Sequence, residues 1–130
     1  MNAEEFTGAA KETILHEQRI EEILDTGFTE SMNQALTTTR TNVEKILDLV
    51  DVNVGLASRV RDHLIQAELE ASKKPQNFNP EVLGALVIDL LELKTALDSD
   101  EQFEALSKDI SELSLHQSIL IDPPIDIEFL

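Results

Sequence analysis

The 130-residue chain sets 26 acidic side chains against 10 basic ones, has no Cys, and is 42% apolar. A formal charge of −16 repels phosphate, which argues against nucleic acid and anionic membranes as direct ligands. The missing Cys excludes disulfides, thiol nucleophiles and Cys-bound zinc, and with five Phe, no Trp and no Tyr the core of this one-domain chain must be built from Leu, Ile, Val and Ala.

Residues 2–26 predict a first helix. Phe6, Ala10, Ile20, Ile23 and Leu24 fall near one stripe, and Glu4, Glu5 and Glu12 lie toward its start, where the helix dipole favours them. Thr26-Gly27 ends it, because glycine accepts the left-handed conformation that closes a helix. Thr29 is then a candidate N-cap.

From Met32 a heptad pattern runs on. One series is Leu36, Val43, Val50, Ala57, Leu64 and Ala71; the other is Met32, Thr39, Ile46, Asn53, Val60 and Ala67. Ten of these twelve positions are apolar, which predicts a coiled-coil helix of about 60 Å. In that helix Asn53 is a buried polar residue that fixes register. The competing reading breaks the pattern at Val52-Asn53-Val54-Gly55 into helices of about 30–52 and 56–73, because Gly costs about 1 kcal/mol inside a helix and Asn favours turns. The intact register favours one helix.

Lys73 to Phe78 reads as a loop. Asn79-Pro80-Glu81 is a strong start signal: a capping Asn, a Pro at the first helical position and an acid in the first turn. The helix behind it runs to about Leu97. Leu83, Leu86, Leu90, Leu93 and Leu97 form one seam, and Val82, Val87, Ile88 and Leu91 widen it until most of the circumference is apolar. Such a helix sits at the centre of the core or is shared with another subunit. Gly84 within it suggests a close helix crossing. Ser99, with Gln102 three residues on, opens a last helix carrying Phe103, Leu106, Ile110 and Leu113, and Asp122-Pro123-Pro124 ends it.

The polar residues form no motif for chemistry. His16, His63 and His116 are far apart and read as surface or rim histidines; no Glu-x-x-His pair or second zinc-spaced His exists. The four glycines are isolated, so no phosphate-cradling loop forms. The string Thr37-Thr38-Thr39-Arg40-Thr41 is unusual inside a helix and suits a polar contact. Charge is uneven: residues 1–53 hold 11 acids and 4 bases, 54–79 hold 3 and 4, and 80–130 hold 12 and 2. The basic island of Arg59, Arg61, Lys73 and Lys74 is suited to meeting the chain's own acidic arms, or those of a second copy.

After Pro124 the period changes to two. Ile125, Ile127 and Phe129 alternate with Asp126 and Glu128, and Leu130 follows, which predicts an extended segment with one apolar side. It either lies on the protein's own helices or engages a partner. These last six residues resemble the acidic terminal peptides, ending in Phe-Leu, by which some phage transcription and replication proteins hold a sliding clamp. That likeness spans six residues and assigns no family.

The sequence therefore predicts an all-α protein: an antiparallel helical bundle or hairpin at 1–118, with one long heptad-patterned helix, and an extended C-terminal tail at 119–130. No enzyme, cofactor or metal is expected. The acidic N-terminus lacks signal-peptide order and no apolar run is long enough to span a bilayer, so the reading is cytoplasmic, of cellular, phage or viral origin. The expected role is an adaptor or assembly protein that binds protein and associates with itself. Ile125, Ile127, Phe129 and Leu130 would meet the partner, and Leu36, Val43, Ile46, Val50, Asn53, Leu64, Leu86, Leu90 and Leu93 form the core or oligomer seam. The alternative is an acidic inhibitor or DNA mimic that blocks a basic site.

Overall fold

A computed structural model describes residues 18–122, and every regular element in that span is helical. Helix α1 covers 18–26 of the described residues, α2 is Phe28–Leu49, α3 is Val54–Glu70, α4 is Pro80–Lys94 and α5 is Asp100–Ile121, with a single 3₁₀ turn at Pro75–Asn77.

Each helix is cut out of the chain by identifiable chemistry. Gly27, at φ +90°, stands between α1 and α2, a left-handed conformation that side chains with a Cβ rarely adopt. Its N–H still bonds the Leu24 carbonyl at 3.2 Å. The cap of α2 is therefore Gly27, and Thr29 lies inside the helix. At the start of α4, Asn79 Oδ1 accepts the N–H of Glu81 at 3.1 Å with Pro80 behind it. At the start of α5, Ser99 Oγ accepts the N–H of Gln102 at 3.4 Å.

The expectation of one long helix over 29–73 is not met. α2 stops at Leu49; Val50 turns to φ −117°, ψ 135°, and Asn53 to φ −51°, ψ 131°. Asn53 lies exposed at the head of α3, not buried in a seam. Its Oδ1 accepts the N–H groups of Gly55 (2.8 Å) and Leu56 (3.3 Å). The cause is local competition. Asn satisfies two otherwise unpaired N–H groups only if the helix begins just after it, and Gly55 weakens any helix drawn through it. The register survives because α2 and α3 face the same core from either side of a short turn.

The four helices α2–α5 form an up-down-up-down bundle in which α2 packs on α3 and α5, and α4 packs on α3 and α5. Cross-links confirm the antiparallel order. Arg40 pairs with Glu68 and Arg61 with Glu44 across α2–α3; Arg59 pairs with Glu92 across α3–α4; Ser31 meets His116 and Asn42 meets Asp109 across α2–α5. Helix α1 lies beside α5, tied by Arg19 to Glu112, with Ile23 buried. The core is aliphatic throughout: Met32, Leu36, Val43 and Ile46 from α2; Val60 and Leu64 from α3; Leu83, Leu86, Leu90 and Leu93 from α4; Leu106 and Leu113 from α5. No helix among the described residues is long and apolar enough to cross a membrane. α5 stays helical through Ile121, three residues past the expected boundary at 118.

Candidate functional site

Three polar assemblies lie between the helices. The first surrounds His116, which is 0% exposed, against the expectation of a surface or rim histidine. Its Nδ1 lies 2.6 Å from the Glu112 carbonyl, to which it can only donate. Its Nε2 lies 2.9 Å from Ser31 Oγ and accepts the hydroxyl proton. The Phe28 ring tilts against it with centroids 5.5 Å apart. Burial lowers the His116 pKa, the Glu112 carbonyl and carboxylate pull it back up, and Arg19 lowers it again. A Ser–His pair at this distance has the spacing of a nucleophile and its base, but Ser31 is 6% exposed and substrate cannot reach it. The pair locks α2 to α5.

The second assembly joins α3 to α4. His63 Nδ1 bonds Asp89 Oδ2, and Arg59 Nε stands 3.9 Å from Asp89 Oδ1 while its Nη2 donates to Glu92 at 2.8 Å. Three of the four basic-island residues meet the chain's own acids: beside Arg59, Arg61 reaches Glu44 and Lys73 reaches Glu70. The third is the threonine string, where Thr39 is buried and donates to the Ala35 carbonyl at 2.8 Å, and Arg40 clamps Glu68 with two N–H groups. Among the described residues no group of three or more His, Asp and Glu side chains is placed to share a metal ion.

The seam residues Leu36, Val43, Ile46, Leu64, Leu86, Leu90 and Leu93 are all buried inside one chain, Val50 is partly buried, and Asn53 is exposed. Ile125, Ile127, Phe129 and Leu130 lie outside the described residues. A partner must therefore meet what the bundle leaves outside, and two surfaces stand out.

One is the outer face of α4 and α5. Two contacts fix how these helices lie side by side. Gln117 Nε2 donates to the Pro80 carbonyl at 3.2 Å near one end, and Lys94 Nζ sits 4.5 Å above the Phe103 ring near the other. A Cβ on Gly84 would meet Gln117 Nε2 at 2.8 Å, so the glycine does mark a close approach. On the outside of this pair lie Ile88 (66% exposed) and Leu91 (46%) from α4, and Phe103 (44%) and Ile121 (64%) from α5. Helical spacing adds Ser111 and Ser118, both exposed, to the same side of α5, with Ser114 partly buried and the Ser107 hydroxyl buried. Exposed charges share these two helices: Glu81 and Glu92 on α4, Glu104 and Lys108 on α5, with Lys94 standing over Phe103. Four large apolar side chains are thus exposed on two adjacent helices, a grouping that can mark an interaction surface.

The chain matches no protein-family model, no curated protein and no solved structure. Its surfaces carry the functional argument alone.

The second surface is one end of the bundle, where α2 leaves and α5 begins. A groove of about 530 Å³ is lined there by Lys45, Leu49, Asp98, Glu101, Gln102 and Ala105, among others. Asp48, Asp51, Asp98, Asp100 and Glu101 are exposed around it, together with Leu49 and Val54. Sequence reading did not single out the acidic end. It put Ile88 and Leu91 on a helix apolar nearly all round, at the centre of the core or shared with another subunit, and put Phe103 in the α5 core stripe. The serine run on α5 was the available signal, since serines replace the usual charges on an outer helical face.

Proposed function

We propose that this protein is a non-catalytic helical adaptor that binds another protein through the outer face of α4 and α5. The carrying observation is the exposure of Ile88, Leu91, Phe103 and Ile121 on these two adjacent helices. Apolar surface of this kind favours burial by about 25 cal/mol per Å². The heptad stripe and the α4 seam pointed to self-association; both are largely covered within one chain, which leaves exposed apolar side chains such as those of α4 and α5 to meet a partner, alongside Leu49, Val54, Ile65 and Leu69 elsewhere. The segment holding Ile125, Ile127, Phe129 and Leu130 is a second contact in this reading.

The experiment is affinity capture from host lysate with the wild-type chain, with Ile88→Asp/Leu91→Asp, and with a chain truncated after Asp122 to keep α5 whole. The expected result is one stoichiometric partner retained by wild type and lost by the double variant. Capture unchanged by the double variant refutes the reading.

The exposed acids around Asp98 and Glu101 support a second reading, an inhibitor that covers a basic site. That binding would rest on charge and fall steeply with salt.

A further inference from the structure

On the flanks of the bundle, carboxylates lean on the chain's own bases: Glu44 on Arg61, Glu68 on Arg40, Glu92 on Arg59 and Glu112 on Arg19. The end where α2 stops and α5 starts is different. Among the described residues, Asp48, Asp51, Asp98, Asp100 and Glu101 enter no ion pair. Asp100 and Glu101 have a reason within the fold, since they stand in the first turn of α5, at the positive end of its dipole. Asp48 has the opposite placement. It lies in the last turn of α2, which holds no base, where the helix carbonyls already make the end negative. Asp51 follows in the turn. Both carboxylates work against the helix beneath them, and a cation brought by a ligand reverses that cost.

Apolar side chains share this end. Leu49 is 71% exposed and Val54 80%, the highest values among the large apolar residues described. Beside Leu49 the groove of about 530 Å³ runs between α2 and α5, with Ile46, Val50 and Ala105 along it and Asp98 and Glu101 on its α5 side. Lys45 is the one base among its lining residues.

We propose that this end of the bundle binds a cationic amphipathic segment of a partner protein. A large apolar side chain of the segment seats in the groove against Leu49, and lysines or arginines beside it meet Asp48, Asp51, Asp98 and Glu101. The inference rests on the second reading above, that the acidic end covers a basic site, and adds that the site is apolar as well as basic.

Charge and surface type together select this occupant. A second copy would bring the same carboxylates against these. Phosphates are repelled. No three acids among the described residues are placed to share a metal ion. A purely polar polycation answers the carboxylates and leaves Leu49 and Val54 in water. A segment with basic residues flanking an apolar one meets both.

The test uses the full chain and a fluorescent peptide of about 14 residues, with leucines at helical spacing and lysines elsewhere. A scrambled peptide of the same composition and spermine are the comparison ligands. Binding is followed by anisotropy for wild type, Leu49→Ser, Asp48→Asn/Asp51→Asn, and Glu21→Gln/Asp62→Asn, which removes the same charge from exposed positions elsewhere. The proposal requires the amphipathic peptide to bind more tightly than the scrambled one. Leu49→Ser should weaken it about tenfold and Asp48→Asn/Asp51→Asn about fivefold, whereas the distant pair, beyond the screening length, should change it less than about twofold. Amide shifts on titration should cluster at 45–54 and 98–105. If Asp48→Asn/Asp51→Asn weakens binding but the scrambled peptide or spermine binds as well and Leu49→Ser is silent, the inference is overturned and the charge-based inhibitor reading stands. If both pairs of charge changes act equally and the shifts spread over the bundle, or if the peptide fails to bind, the acidic end is no site and both fall.

Discussion

Between Ser31 and the Glu112 carbonyl, the imidazole of His116 is satisfied in one state: neutral, with the proton on Nδ1. A second proton would sit on Nε2, where the Ser31 hydroxyl must turn from donor to acceptor in a site without water access. Burial accordingly lowers the His116 pKa in the fold. In the unfolded chain His titrates near 6.5, so the stabilisation is complete above about pH 6.5 and is lost as pH falls through the lower folded value. Urea midpoints for wild type should drop between pH 7 and 5. The gap between wild type and His116→Gln should shrink in that interval, because the variant has no proton to take up there. A constant gap would mean that His116 is not the titrating lock. Glu112 acts in the same direction at lower pH, since Arg19 holds its carboxyl below the usual range. Asp109 acts oppositely: burial raises its pKa despite the Asn42 hydrogen bond. Its contribution is complete below the unfolded carboxylate value and declines as pH rises through the folded one.

Helix α3 exists as a separate element because Asn53 caps it. Asn53→Ala should destabilise the protein by about 1 kcal/mol in denaturant unfolding, whereas a buried register-fixing Asn in a continuous helix would become more stable when made apolar. Gly84 tests the crossing of α4 over α5. Gly84→Ala gains helix propensity of about 1 kcal/mol but crowds Gln117 off the Pro80 carbonyl. The substitution should therefore stabilise the protein more in a Gln117→Ala background than in wild type, and equal effects would mean the contact is loose. In the centre of α4, Leu90 is fully buried, and Leu90→Ala should cost about 2–5 kcal/mol.

How far these elements were readable follows from what kind of signal each one carries. Asn79-Pro80 and Ser99 announce helix starts by local chemistry, and the structure places both caps as read. The turn at 50–53 was misjudged, because periodicity records which face is apolar and not whether the chain reverses between two such faces. His116 was misplaced because its partners are distant in sequence: Ser31 is 85 residues away, and no spacing rule reaches that far. The outer face was hidden by composition, since Ile88 and Leu91 look alike to Leu86 and Leu90 until the helix has a direction in the bundle.

Among the described residues, exposed apolar side chains occur on the α4–α5 face and also at the acidic end, where Leu49 and Val54 stand among the acids. Arg59, Arg61 and Lys73 of the middle segment bind the chain's own acids, the end near Asp98 and Glu101 is acidic, and Ile88, Leu91, Phe103 and Ile121 are exposed along α4 and α5. In the proposed adaptor role, burial of these side chains drives binding and the surrounding charge disfavours misassembly. The most direct measurement is the dissociation constant of the captured partner for wild type and for Ile88→Asp/Leu91→Asp, each at low and high salt. Burying each side chain is worth about 1.5–3 kcal/mol. The account therefore requires the double variant to bind at least about 100-fold more weakly, while wild-type affinity changes by less than about tenfold with salt. Affinity that collapses with salt and ignores the double substitution would contradict it and hand the function to the acidic end of the bundle.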